Sequence, residues 1–237
     1  MSLMMENFSP KIIAHRGYSA HHIDNTWAAI YAAQVAGAEC CEIDLMLSAD
    51  GEVVICHDYS IGEHRITEMT GSETRKRLVD SPRFEKLLDW SETQRMELLL
   101  EVKDARLLNK LTNSLKNRDP ELFTIGSFHA PFLKAFKVVR PEFVTSLMLG
   151  TVFDFSEMIL LSHLYQCDTV HPCWESRAPY PHRLLSIDIV KCLHDADLKV
   201  ILWHEEREDE LKYLLKLGVD GICTNDPERL KHMRDRL

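Results

Sequence analysis

The stretch Ala38-Glu39-Cys40-Cys41-Glu42-Ile43-Asp44-Leu45-Met46-Leu47, followed by Ser48-Ala49-Asp50-Gly51 and then Glu52-Val53-Val54-Ile55-Cys56-His57-Asp58, decides how this chain folds. Residues 38–47 are nearly all apolar apart from three acids, the pattern of a strand covered on both faces. Asp50-Gly51 is a tight-turn signal, so Glu52–His57 reads as a short hairpin return onto that strand. Glu42 and Asp44 are two apart, which puts both side chains on one face, about 6.6 Å apart at ~3.3 Å per residue. The plain alternative is a half-wetted strand with its acids in water. A strand packed by helices outside and side chains inside has no wetted face along its middle, so such acids belong at its open C-terminal mouth.

Working outward, comparable apolar runs recur at Lys11–Ala14, Met96–Val102, Leu122–Ser127, Phe143–Leu149, Asp168–His171, Leu198–Trp203 and Val219–Thr224. With Ala38–Leu47 they make eight candidate strands. Helix-period segments fall between them at Asn25–Ala36, Ala105–Asn117, Ala130–Val139, Phe153–Tyr165, Ser186–Ala196 and Glu206–Leu217, and Pro227–Arg236 follows the last strand. This alternation predicts a parallel sheet with helical crossovers. Eight units in 237 residues predict closure into a (β/α)8 TIM barrel, typically about 250 residues. The expected organisation is a single domain over 1–237, with the hairpin and a helical insertion at about 58–93 after the second strand. Helical stretches are expected there near Glu73–Val79 and Arg83–Trp90. Long connections after barrel strands usually cover the active face.

A formal charge of -9, from 28 basic and 37 acidic residues, argues against a nucleic-acid surface, which needs a dense basic face. It leaves room for a small anionic substrate, because a bound cation inverts the local charge. The seven cysteines show no CxxC pair and read as buried free thiols of a reducing compartment. No run reaches the ~18 apolar residues needed to span a bilayer. A soluble, cytoplasmic protein without a transmembrane segment is the expectation.

The candidate chemistry gathers at strand ends. Glu42, Asp44 and Glu101, the last closing Leu98-Leu99-Leu100, offer oxygen ligands suited to a hard divalent cation. Lys103, two residues beyond Glu101, is placed to contact a phosphate. His15 closes the first strand and His57 the hairpin return, so both project toward one rim, where imidazoles suit acid–base work near neutral pH. Arg16 offers a bidentate fork for phosphate oxygens, and Gly17 permits a tight turn. In Asp24-Asn25-Thr26 any of the three can be an N-cap, with Asp24 also a candidate ligand. His21, His22, His64, His129, His171 and His204 are read as structural or solvent-facing, His129 and His171 being the least secure. Together these groups point toward phosphodiester chemistry.

The chain resembles the glycerophosphodiester phosphodiesterase family. The resemblance rests on Ala14-His15-Arg16-Gly17, Asn25-Thr26, Gly37-Ala38 leading to Glu42-Ile43-Asp44, Asp50-Gly51 with Val53-Val54, and His57-Asp58. It continues through Glu101-Val102-Lys103, Ser127-Phe128, Trp203, Gly218-Val219-Asp220-Gly221-Ile222 and Thr224-Asn225-Asp226-Pro227. These lie in the family's order over nearly the whole chain. The resemblance implies a TIM barrel that hydrolyses glycerophosphodiesters to glycerol 3-phosphate and an alcohol, with one divalent cation, Mg2+ or Ca2+, and Mn2+ as a further candidate. It implies His15 and His57 as the acid–base pair, and Glu42, Asp44 and Glu101, with Asp24, as metal ligands. It places Arg16 and Lys103 on the phosphate; Trp203 is expected against the glycerol or the leaving group, or in the core. Two positions depart from the family pattern. Ile23-Asp24 stands where Pro-Glu is usual, one methylene shorter, and His204-Glu205-Glu206 follows Trp203 where small or amide side chains are common.

Two other functions are compatible with the sequence. One is phospholipase D-like hydrolysis of lysophospholipids or sphingolipids, with apolar residues of the 58–93 connection holding an acyl chain. The other is a barrel that binds metal and diester without turnover, to which the Ile23-Asp24 departure points. Because the 58–93 connection is rich in charge and its apolar residues are scattered, a water-soluble diester ranks first.

Overall fold

The computed structural model describes residues 9–173 and 178–237. Its main sheet contains β1 (Lys11–His15), β2 (Cys40–Leu47), β6 (Glu97–Val102), β7 (Phe123–Ser127), β8 (Val144–Leu149), β9 (Thr169–Pro172), β10 (Lys199–Leu202) and β11 (Gly221–Thr224), all in parallel. β1 hydrogen-bonds to β11 on one side and β2 on the other, which closes the barrel. β3 (Val53–Ile55) runs antiparallel along β2, Leu47 opposite Val53 and Leu45 opposite Ile55, as the Asp50-Gly51 turn predicts. The expected (β/α)8 architecture is therefore present. A hairpin of β4 (Ser60–Ile61) and β5 (His64–Arg65) was not expected, because strands of two residues leave no periodicity to read.

The helices are α1 (Trp27–Val35), α2 (Gly71–Arg77), α3 (Phe84–Gln94), α4 (Leu108–Ser114), α5 (Ala130–Val139), α6 (Phe155–Leu164), α7 (Ile187–Asp195), α8 (Glu208–Leu214) and α9 (Pro227–Arg234). Alternate strand residues serve two cores. Ile12, Ile43, Leu98, Val170, Val200 and Ile222 pack outward with helix residues such as Ile30, Phe136, Leu193 and Leu230. Ile13, Cys40, Leu99 and Cys223 cluster inside the barrel with Ile201 and Trp203. The interior is thus filled by apolar side chains of its own.

The insertion has its own anchor. Met46, Val54, Cys56, Ile66 and Met69 form a small apolar cluster beneath it. Asp50 accepts from Ser48 Oγ at 2.6 Å and from the Gly71 N–H at 2.8 Å, tying the hairpin turn to the start of α2. Thr70 and Glu73 form a reciprocal capping box there. At the mouth, Gly17 has φ +81°, and a Cβ on it would lie 2.6 Å from the Ala29 carbonyl carbon, so the turn after β1 requires glycine.

Cys40, Cys41, Cys56, Cys167, Cys192 and Cys223 are free thiols. The expectation that they are buried fails at Cys192, which is exposed, and Cys173 is half-buried. Among the described residues, no helix is long and apolar enough to cross a membrane.

Candidate active site

β2 and β6 run side by side with Asp44 in register with Glu101, which brings three carboxylates together at the barrel mouth. Glu42, Asp44 and Glu101 each offer an oxygen within 4.8 Å of the other two, and all three are buried. Burial, followed by repulsion from Asp44 and Glu101, pushes the Glu42 carboxyl well above its usual range. Glu101 is raised by burial and then by Asp44. Glu42 Oε1 and Glu101 Oε2 are buried without a hydrogen-bond partner among the described residues. Stranding carboxylate oxygens out of water is costly, and an all-oxygen donor set of this kind suits a hard cation. The residues present therefore fit a divalent metal ion.

Two cations already face the trio. Lys103 Nζ lies 2.6 Å from Glu101 Oε1 and 3.0 Å from Asp44 Oδ1, with its side chain 8% exposed. Burial pulls this ammonium down, but Asp44 and Glu101 outweigh it and leave its pKa raised. Arg16 Nε lies 3.2 Å from Asp44 Oδ2, and its backbone N–H donates to Glu42 Oε2 at 3.0 Å. Asn25 completes the cradle: its Nδ2 donates to Asp44 Oδ2 at 2.8 Å, and its Oδ1 accepts from the Asp44 N–H at 3.2 Å. Arg16 and Asn25 hold φ of +60° and +57°. Left-handed backbone at a non-glycine residue is strained, and the hydrogen bonds of this cradle hold it in place.

His15 is buried, and its Nδ1 lies 2.7 Å from Asn225 Oδ1, which also accepts from Ser19 Oγ at 2.9 Å. An oxygen at that distance fixes the proton on Nδ1 and leaves Nε2 as an acceptor; Nε2 is 3.9 Å from Glu42 Oε2. Burial, then Arg16 and His204, lower the His15 pKa well below its usual value, so the ring is neutral at pH 7. The support extends behind it. The Asn225 N–H donates to Glu206 Oε1 at 2.5 Å, and Glu206 also accepts from Thr224 Oγ1 and Arg229. His204 stacks on His15 at 4.4 Å, and Trp203 meets it edge-on at 5.6 Å. His57, 36% exposed, pairs its Nδ1 with Asp58 Oδ1 at 2.8 Å. A cleft of about 670 Å³ opens beside His15 and Arg16, walled by His204, Glu206, Asn225 and Arg229.

Asp24 stands apart from the carboxylate trio. It is 41% exposed and binds Arg16 Nη1 at 3.1 Å. Thr26 is the N-cap of α1, accepting from the Ala29 N–H at 3.2 Å, which leaves Asp24 and Asn25 free for the site. Sequence reading gave no role to Asn225 or Glu206 and took His204 as structural or solvent-facing. The Thr224-Asn225-Asp226-Pro227 motif was a signal for the first, and the unusual polar residues after Trp203 for the others.

Of the two least secure histidines, His129 is structural: its Nδ1 accepts from the Phe132 N–H and caps α5. His171 is fully buried, 6.2 Å from the Trp203 ring, with both ring nitrogens unpartnered among the described residues. Burial lowers its pKa from 6.5 to about 3. Between those values the unfolded chain binds a proton that the folded chain does not, so stability falls as pH falls through that window. The expected cost from pH 7 to pH 5 is about 2 kcal/mol. Urea melts of His171→Gln should lack this increment; equal pH slopes in both proteins would contradict the assignment.

The glycerophosphoryl diester phosphodiesterase family model matches residues 15–103 and 79–229, spanning both halves of the barrel and the residues of the mouth. The chain belongs to the glycerophosphoryl diester phosphodiesterase family. Among relatives in the family, the glycerophosphodiester phosphodiesterase of Caldanaerobacter subterraneus subsp. tengcongensis is 27% identical over 251 residues, covering 92% of this chain and 95% of the relative. A lysophospholipase D of Mus musculus is 21% identical, covering 97% of this chain and 83% of its own length. Among solved structures, an Oleispira antarctica phosphodiesterase in complex with sn-glycerol-3-phosphate superposes with a TM-score of 0.81 at 22% identity, covering 96% of this chain and 98% of that one. That likeness bears on the fold, and the family's phosphodiesterase chemistry agrees with the acids, cations and histidines at the mouth.

Proposed function

We propose that this protein hydrolyses glycerophosphodiesters to glycerol 3-phosphate and an alcohol, with the chain acting as one barrel domain. The observation that carries the reading is the buried trio Glu42, Asp44 and Glu101, with unpartnered carboxylate oxygens, flanked by Arg16, Lys103, His15 and His57. These three carboxylates would hold one divalent ion, whose charge would offset the negative charge that builds on the phosphoryl oxygens. Oxygen-only ligation suits Mg2+ or Ca2+, with Mn2+ a further option.

The chain's own residues do the rest. Arg16 and Lys103 are cations at the mouth whose N–H groups bind and orient the phosphate. Asp24, also a candidate ligand, accepts a hydrogen bond from the Arg16 guanidinium and restrains it. His15 and His57 each have Nδ1 engaged by a neighbour, which directs Nε2 to the reacting diester. One Nε2 takes the proton from the attacking hydroxyl or water and the other gives a proton to the departing alcohol. Trp203, edge-on to His15, supplies an apolar surface for the glycerol.

The test is a panel of glycerophosphodiesters, with and without chelator and with Mg2+, Ca2+ or Mn2+ restored, with product identification. Release of glycerol 3-phosphate that stops on chelation is expected. Metal binding without turnover of any diester would identify a non-catalytic binding barrel instead.

A further inference from the structure

The chain departs from its family's pattern at His204-Glu205-Glu206, between β10 and α8, and each of the three side chains has a defined partner. Glu205 is 1% exposed and anchors the segment. Its Oε1 accepts from the N–H groups of Glu206 and Arg207 at 2.9 and 2.8 Å, and its Oε2 pairs with Arg207 at 2.7 Å. Its own N–H donates to the Cys223 carbonyl at 3.3 Å, which fastens the segment to β11. From that anchor His204 and Glu206 reach His15 in two different ways. The His204 ring lies over the His15 ring, with 4.4 Å between centroids and 29° between planes. Burial, then Arg16, lower the His204 pKa to about 4, so the stacked ring is uncharged at pH 7 and brings no repulsion. Glu206 works one residue removed. Its Oε1 accepts the Asn225 N–H at 2.5 Å and Thr224 Oγ1 at 3.0 Å, while its Oε2 pairs with Arg229. Both carboxylate oxygens are committed to donors within the protein, so Glu206 is not placed as a substrate contact. What it fixes is the main chain of Asn225, whose Oδ1 lies 2.7 Å from His15 Nδ1.

We propose that His204 and Glu206 are positioning residues for the reaction: Glu206, through Asn225, keeps a proton on His15 Nδ1, and His204 holds the plane of the ring. The inference rests on the phosphodiesterase reading above, in which His15 Nε2 exchanges a proton with the reacting diester. Either role at Nε2, taking a proton or giving one, requires the other ring nitrogen to be protonated and facing an acceptor. Released from Glu206, the Asn225 amide is free to move off the ring or to turn its NH2 group toward it. An NH2 donor facing Nδ1 drives the ring proton to Nε2, the wrong nitrogen for accepting another. Without the stacked ring, the imidazole is free to tilt into the cleft of about 670 Å³ beside it. Misplacing a reacting group by ~1 Å costs up to about 10²-fold in rate.

The test joins steady-state kinetics to NMR of the His15 ring nitrogens, recorded without substrate and assigned by their loss in His15→Gln. Wild-type protein is expected to show the Nδ1–H tautomer alone. Glu206→Ala should show a mixture of tautomers and a kcat on glycerophosphocholine lowered by up to about 10²-fold, with KM nearly unchanged. Glu206→Gln, whose amide oxygen can still accept the Asn225 N–H, should recover most of the tautomer and most of kcat. His204→Ala should keep the tautomer and lose kcat by a smaller factor. Combining Glu206→Met with Arg229→Met removes both charges of the pair at once and should give the same mixture, so the question stays decidable if Glu206→Ala does not fold. A wild-type tautomer in the folded Glu206 variants overturns the role of Glu206, even where the melting temperature falls, because a purely structural part would show in the melt alone. Unchanged kcat in His204→Ala overturns the role of the stacked ring. The tautomer is read without any diester, so a protein that hydrolyses none would overturn the phosphodiesterase reading, while the NMR comparison would still decide whether Glu206 sets the His15 tautomer.

Discussion

Replacing His57 with alanine is expected to lower kcat on glycerophosphocholine by at least about 10²-fold, the usual cost of losing a general acid or base. The side chain is 36% exposed and its hydrogen bond goes to the neighbouring Asp58, so the fold should survive the change. That makes it a cleaner probe than His15. The His15 ring is 4% exposed and holds contacts with Asn225, His204 and Trp203, so removing it also opens a cavity. Steady-state rates, with a thermal melt to confirm folding, provide the measurement. Near-normal turnover in His57→Ala would remove this residue from the reaction.

The second large effect concerns the carboxylates and has opposite signs with and without the ion. Glu42 is pushed up by burial and by repulsion from Asp44 and Glu101. Glu42→Gln keeps the shape and removes the charge, so the metal-free protein should become more stable. A ligand that binds only the folded state stabilises it by about 2.7 kcal/mol at a concentration 100 times its Kd. Wild-type protein should therefore melt higher as Mg2+ or Ca2+ is added, and the increment should shrink in Glu42→Gln along with kcat. Melts across a cation titration separate the two signs. A cation-dependent rise that survives unchanged in Glu42→Gln would exclude this carboxylate as a ligand.

The acid pair on β2 was legible because strand geometry makes two-residue spacing a statement about faces, and a strand buried on both sides leaves charges nowhere to sit but the mouth. Glu101 was legible on the same grounds. Asn25 was harder to read, since Asx residues before a helix are ordinary caps. Its role depends on Thr26 taking the cap and on the backbone turning left-handed to face Asp44. Asp24 was hard to read for the same reason: the sequence offered it as a cap or a ligand, and the structure pairs it with Arg16. The 58–93 connection read as charged with scattered apolar residues. Only tertiary folding brings Ile61, Leu78 and Val79 beside Ile23 and Ile55. Spatial convergence from four segments leaves no local periodicity to detect.

The bond between His15 and Asn225 joins residues 210 positions apart, between the first and last strands of the barrel. During synthesis the His15 imidazole remains without its orienting partner until another 210 residues have been made. Contacts of such long range are formed late and slowly. Turnover is therefore a reporter of completed closure. In refolding experiments helix content should return first, and catalysis only with the phase that docks β11 against β1.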